Sequence, residues 1–183
     1  MGSSQVASRS LYSVLSSAVS QGGAETLKSL NLPALVGLPI EQVFLGLSDL
    51  ICPEGGSIDE GIARDAFIET IEDLGDAGVT DFDGLTADQM QTVFELYVTH
   101  TIEARICNDI GNKALSLPAD PRAAERVQKE LHDFIRRGVA DAFAGRAPNA
   151  ALTSQQIEQF ARQAYEDAFA ALQSLGEAEA AAE

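Results

Sequence analysis

Three segments of this chain open with Ser or Thr followed three residues later by Glu or Gln: Ser57 with Glu60, Thr86 with Gln89 and Thr153 with Gln156. In such a pair the hydroxyl accepts from the amide three residues on, and the longer side chain reaches back to the first residue's amide. Two of the donors that a helix start leaves open are thereby satisfied. Behind each pair apolar residues recur at spacings of three and four, and no strand-like alternation of apolar and polar residues appears. A chain punctuated in this way is constrained to fold as helices.

The spacing predicts six long helices. Leu11, Val14, Leu15 and Ala18 mark the first, from about Gln5 to Ser20, stopped at Gly22-Gly23. A short turn through Leu27 and Leu30 leads to a connector carrying Pro33, Gly37 and Pro39. Pro39 suits the first turn of the second helix, whose stripe of Ile40, Val43, Phe44, Leu47, Leu50 and Ile51 is apolar enough to be central. The third begins at Ser57, with Ile58, Ile62, Ala66, Ile71 and Leu74 inward, and the fourth at Thr86, with Phe94, Val98, Ile102, Ile106 and Ile110 inward. Asp120 and Pro121 start the fifth, with Val127, Leu131, Phe134, Ile135, Ala142 and Phe143 on one face; Thr153 starts the sixth, carrying Ile157, Phe160, Ala161, Ala164, Tyr165, Ala168, Phe169 and Leu172. The expected fold is all-α, an irregular bundle of about six helices, with Phe44, Leu47, Phe94, Ile102, Phe134 and Phe160 in one core.

A chain of 183 residues is expected to form one domain over residues 9–175, with residues 1–8 as a flexible N-terminus or cloning scar and 176–183 as a disordered acidic tail. Cys52 and Cys107 are too few for a disulfide framework and fit reduced thiols in a cytoplasmic protein. The N-terminus lacks the pattern of a signal peptide, no apolar run is long enough to span a membrane, and Val6 stands where a myristoylation signal wants Ser or Thr.

Charge is the second constraint. Between Glu41 and Asp109 stand 16 Asp and Glu against only Arg64 and Arg105, which accounts for 14 of the 16 net negative charges. A helical face of that kind repels nucleic acid and anionic lipid and attracts a basic protein surface. Asp59, Asp65, Glu69, Glu72 and Asp73 are the candidate partner-binding residues, because only Arg64 lies near them in sequence.

Catalytic and metal patterns are weaker. His100, Glu103 and Cys107 share one helix face, yet no matching ligand pair occurs elsewhere, so a partly buried His and a core Cys are the plainer account. Asp81, Asp83 and Gly84 match part of an EF-hand loop, but Val79 and Met90 stand where its anchoring ligands belong. An acidic loop serving a helix N-terminus explains them better. His132-Asp133 has no serine partner in an elbow pattern, and Gly22-Gly23 and Gly55-Gly56 lack the lysine of a phosphate loop. Arg122, Arg126, Lys129, Arg136 and Arg137 are nearly offset by acidic neighbours and read as a solvated helix face. No catalytic residue, metal ligand or cofactor is assigned.

Two stretches, NLPALVGLPIEQVFLGLSDLICPEGGSIDEGIARDAFIETIE from Asn31 to Glu72 and ICNDIGNKAL from Ile106 to Leu115, resemble the C-terminal helical domain of the QatB family of Qat anti-phage defence operons. The likeness spans roughly residues 9–117. Members of that family usually begin with a Gly, Ser and Pro-rich segment, so this chain looks like an excised domain or a shortened relative. The resemblance implies three operon partners: a QueC-like (QatC-like) enzyme, an ATPase and a TatD-like nuclease. It also implies that the QueC-like enzyme attaches a deazaguanine base to a protein N-terminus, with QatB as acceptor. The expected function is then a non-enzymatic docking scaffold that binds the QueC-like enzyme through the acidic helices, with no direct contact to nucleic acid or membrane. Two rivals are a metal- or small-molecule-dependent helical enzyme centred on His100, Glu103 and Cys107, and a structural homo-oligomer paired through its last helix.

Overall fold

The computed structural model describes residues 2–53, 55–111 and 121–144, and from the C-terminal segment residues 153, 155, 156, 159, 162–170 and 174. Its helices are α1 (Gly2–Gln21), α2 (Gly23–Ser29), α3 (Ile40–Ile51), α4 (Ile58–Asp73), α5 (Ala87–Gly111) and α6 (Pro121–Ala144), with a 3-10 turn at Pro33–Leu35 before α3. Residues 162–170 are helical as well, and no strand occurs among the described residues, so the fold is an all-α irregular bundle. All three capping boxes form. Ser57 Oγ accepts from the Glu60 amide at 3.2 Å while Glu60 takes the Ser57 amide at 2.9 Å. Thr86 with Gln89 and Thr153 with Gln156 repeat the arrangement.

The centre belongs to α5 rather than to α3. Val93, Phe94, Tyr97, Val98, Thr99, His100, Thr101 and Ile102 are all buried, since α1, α4 and α6 pack around this helix. A helix enclosed on most sides carries no single apolar stripe, whereas the stripe of α3 is the mark of a one-sided element. On α3 the side chains of Ile40, Val43, Phe44, Leu47 and Ile51 are buried, but Leu50, expected to be inward, is 45% exposed. On α4 Ile58 is also exposed, because it is the first helical residue after the cap and precedes the turn that meets the core. The inward arc of α4 is Ile62, Ala63, Ala66, Phe67, Thr70 and Ile71, followed by Leu74.

Phe44, Leu47, Phe94 and Ile102 share one core as expected. Its aromatic members interlock: Phe44 stacks on Phe67 at 5.7 Å, Phe67 meets Tyr97 edge-on at 6.2 Å, and Tyr12 meets Phe94 edge-on at 5.2 Å. Phe134 is 39% exposed instead, because Leu131, Ile135 and Val139 take the inward stripe of α6 at four-residue spacing. Phe160, the residue 176–183 tail and the side chains of Ile110, Val127, Ala142 and Phe143 lie outside the described residues.

Within residues 1–8, expected as a flexible N-terminus or cloning scar, residues 2–8 form the first turns of α1. Ser4, Ala7 and Ser8 are buried, and Asp59 of α4 accepts from the Ser4 amide at 3.3 Å and its hydroxyl at 3.0 Å. The acidic loop before α5 serves a different helix from its own. Asp83 Oδ1 accepts the Ala24 amide at 2.8 Å and so supports the N-terminus of α2, while Asp81 accepts the Asp83 amide at 3.0 Å. Both cysteines are unbridged. Cys52 is buried and Cys107 is exposed, so Cys107 is not the core residue expected.

Candidate partner-docking surface

The side of α4 away from the core carries Ile58, Gly61, Asp65, Ile68, Glu69 and Glu72, all exposed. At about 100° per residue these positions fall on one arc opposite Ala63, Phe67 and Thr70. Five carboxylates were the candidate surface, and the structure divides them. Asp59 is 17% exposed and pairs with Arg105 Nη1 at 2.6 Å, so it ties α4 to α5 and, through Ser4, to α1. Glu69 and Asp73 reach His100 on α5: Glu69 Oε2 lies 3.2 Å from Nδ1, and Asp73 Oδ2 lies 2.9 Å from Nε2. Asp65 and Glu72 are exposed and form no ion pair among the described residues. The nearby Arg64 is already engaged by Asp49 at 3.0 Å and by the Cys52 carbonyl at 3.1 Å.

His100 joins a longer polar chain. Glu103 Oε2 stands 3.6 Å from His100 Nδ1, and Glu103 Oε1 lies 2.5 Å from Nδ1 of His132 on α6. Both histidines of the chain are thus held by carboxylates, and the network fastens α4, α5 and α6 together. Burial works against a charge on His100. The hydrogen bonds to Glu103 and Asp73 and the charge of Glu69 overcome it, so its pKa is raised above the ordinary 6.5. Burial also raises Glu69, reinforced by the carboxylates of Glu103, Asp65 and Glu72 and opposed by His100.

Of the residues considered as a metal or catalytic centre, the fold brings together His100 and Glu103 and leaves Cys107 exposed. Both ring nitrogens of His100 face carboxylates of α4, which makes the ring a donor in a structural clamp. No group of three or more His, Cys, Asp or Glu among the described residues is disposed to hold a metal ion. Cys52 is buried with its thiol toward the Ala63 carbonyl at 3.4 Å, and burial pushes its pKa up to about 11, which suppresses the reactive thiolate. No helix of the described residues is long and apolar enough to cross a membrane.

Sequence reasoning missed the apolar part of the α4 surface and its neighbour on α3. Leu45 is 56% and Ile68 41% exposed. The signal was present, since each falls out of phase with its helix's inward stripe.

Comparison with protein families matches residues 1–172 to the family described as Qat anti-phage system associated protein QatB. The match extends at both ends beyond residues 9–117, the stretch that carries the resemblance in sequence. Neither the curated proteins nor the solved structures give a match. The chain belongs to the QatB family and is a component of an anti-phage defence system.

Proposed function

We propose that this chain is a non-enzymatic docking scaffold of the Qat system: it binds a QueC-like enzyme and presents an N-terminus as acceptor for that enzyme's deazaguanine modification. The observation that supports this reading is the outer face of α4, where Asp65 and Glu72 are exposed and form no ion pair among the described residues of a QatB-family chain. Exposed carboxylates without internal partners repel one another, and a basic surface on a second protein relieves that repulsion and speeds encounter. Catalysis by the chain itself finds little support: His100 and Glu103 are spent on the clamp between helices, and partial burial with the nearby charges of Glu103 and Glu69 raises the pKa of the Cys107 thiol, which disfavours the reactive thiolate.

The test is co-expression with the neighbouring gene products, followed by affinity capture and intact-mass measurement. The expected result is capture of the QueC-like enzyme, with the ATPase and the TatD-like nuclease retained through it or beside it, and a mass increment on the acceptor N-terminus. Absence of the QueC-like enzyme from the captured material at low ionic strength sinks the docking reading. Capture without a mass increment sinks the acceptor role alone.

A further inference from the structure

Three pairs of contacts fix how α3 and α4 run. Phe44 stacks on Phe67 at 5.7 Å, Asp49 pairs with Arg64 at 3.0 Å, and the Cys52 thiol meets the Ala63 carbonyl at 3.4 Å. As the α3 number rises the α4 number falls, so the two helices form an antiparallel hairpin with a known register. The Asp49–Arg64 register sets Leu45 about level with Ile68, the two flanking the stacked phenylalanines from opposite sides along the helix axes. One turn further from the hairpin's connection, Glu41 comes level with Glu72. One turn nearer to it lies the Asp49–Arg64 pair.

The outer surface of the hairpin therefore has three tiers. The middle tier is apolar, with Leu45 56% and Ile68 41% exposed. One flanking tier is a closed ion pair. The other holds Glu41, half-buried in the first turn of α3, and the exposed Glu72, two carboxylates that form no ion pair among the described residues, with Asp65 exposed one turn from Ile68. Large aliphatic side chains left in water beside unneutralised carboxylates mark an interaction surface more than a solvated one.

We infer that this tier of the α3–α4 hairpin is a docking site for an amphipathic helix of a partner protein, one that offers an aliphatic side chain to Leu45 and Ile68 and a Lys or Arg one turn away to Glu41 and Glu72. Charge complementarity selects the occupant: a helix with acidic flanks or an anionic lipid surface meets like charge here. The inference deepens the docking function proposed above and rests on it only for the identity of the partner.

The test uses the full chain and a fluorescein-labelled two-heptad peptide of Leu, Ala and Lys, read by fluorescence anisotropy. The wild type should bind it in a salt-dependent manner. The double variant L45Q/I68Q and the double variant E41K/E72K should each weaken binding at least tenfold. The control D76K/D133K, with the same change in net charge at exposed positions elsewhere, should stay within threefold of the wild type. Circular dichroism and the unfolding midpoint establish that each variant is folded, and Ala at positions 45 and 68 replaces Gln if either falls. Equal weakening by the control, or full binding by L45Q/I68Q, overturns the site and leaves only diffuse attraction between an acidic protein and a basic peptide. A concentration-dependent dimer that L45Q/I68Q abolishes also overturns it, by assigning the surface to a second copy. Capture of the QueC-like enzyme separates the two proposals. If L45Q/I68Q captures it as well as the wild type, docking stands and this surface does not. If the peptide results hold but no enzyme is captured, the surface stands and the partner reading does not.

Discussion

His100 gathers Glu69 and Asp73 from α4 and Glu103 from its own helix, and through Glu103 it reaches His132 on α6. Its raised pKa has a definite sign in stability. A histidine that binds its proton more tightly when folded contributes stability that is fully present below its unfolded value and is lost as pH rises through the higher folded value. His100→Gln should therefore destabilise the chain by about 1 kcal/mol near pH 6, toward the low end for hydrogen bonds to charge because Glu69 and Asp73 are half exposed. The difference from wild type should shrink toward alkaline pH, as urea unfolding across pH 6 to about 9 would show. A difference independent of pH would mean that His100 acts by packing alone. Glu69 points the same way at lower pH, since burial lifts its pKa and its charged form is the disfavoured one.

At the scale of elements, α5 is the helix whose truncation should be felt most. Phe94 is fully buried against Tyr12, so Phe94→Ala should cost on the order of 3 to 5 kcal/mol, whereas Phe134→Ala on the outer side of α6 should cost less than about 1 kcal/mol. Comparable losses in the two variants would place Phe134 in the core after all. A second expectation concerns α2, where a Cβ on Gly23 would stand 2.4 Å from the Phe82 carbonyl oxygen. That atom is backbone held by the Asp83–Ala24 bond, so Gly23→Ala should lower the unfolding midpoint by several degrees or loosen the residue 81–83 loop, visible as faster amide exchange at Ala24.

These elements also show what was legible beforehand. Helix starts were, because a capping box is a local pattern that forms from residues three apart, and all three of them formed. The centre of the bundle was not. A strong stripe on α3 signals a helix with one wet side, while Tyr97 and His100 are buried because three neighbours close around α5. Phe67 was missed for a related reason: the inward arc of α4 is wide enough to take adjacent residues, Ala66 with Phe67 and Thr70 with Ile71, and reading only every fourth position skips half of it. The acidic excess was visible at once, but not its division, since Asp59 finds Arg105 across 46 positions and His100 finds Asp73 across 27.

For the whole molecule that division separates charge that holds the fold from charge that can recruit a partner. Asp59 and Asp73 are bound into contacts between helices, while Asp65 and Glu72 are exposed on α4 near the half-buried Glu41 of α3, and the exposed cations of α6 stand among the equally exposed Glu130, Asp133 and Asp141. On a net charge of −16 these outward carboxylates add to a negative field that can orient an approaching basic protein before contact. Screening acts over about 10 Å at 0.1 M salt, so association driven by exposed carboxylates should slow as salt is added while dissociation changes less. Replacing Asp65 and Glu72 with Lys should reduce the association rate with the QueC-like partner proposed above roughly tenfold at low ionic strength and flatten its salt dependence, with the unfolding midpoint unchanged. Replacing Asp59 and Asp73 with Lys should instead lower the midpoint, because each would leave Arg105 or His100 facing like charge. Stopped-flow association and thermal unfolding on the two double variants separate these effects. If the first variant associates as fast as the wild type, steering by α4 plays no part and recognition must begin at another surface.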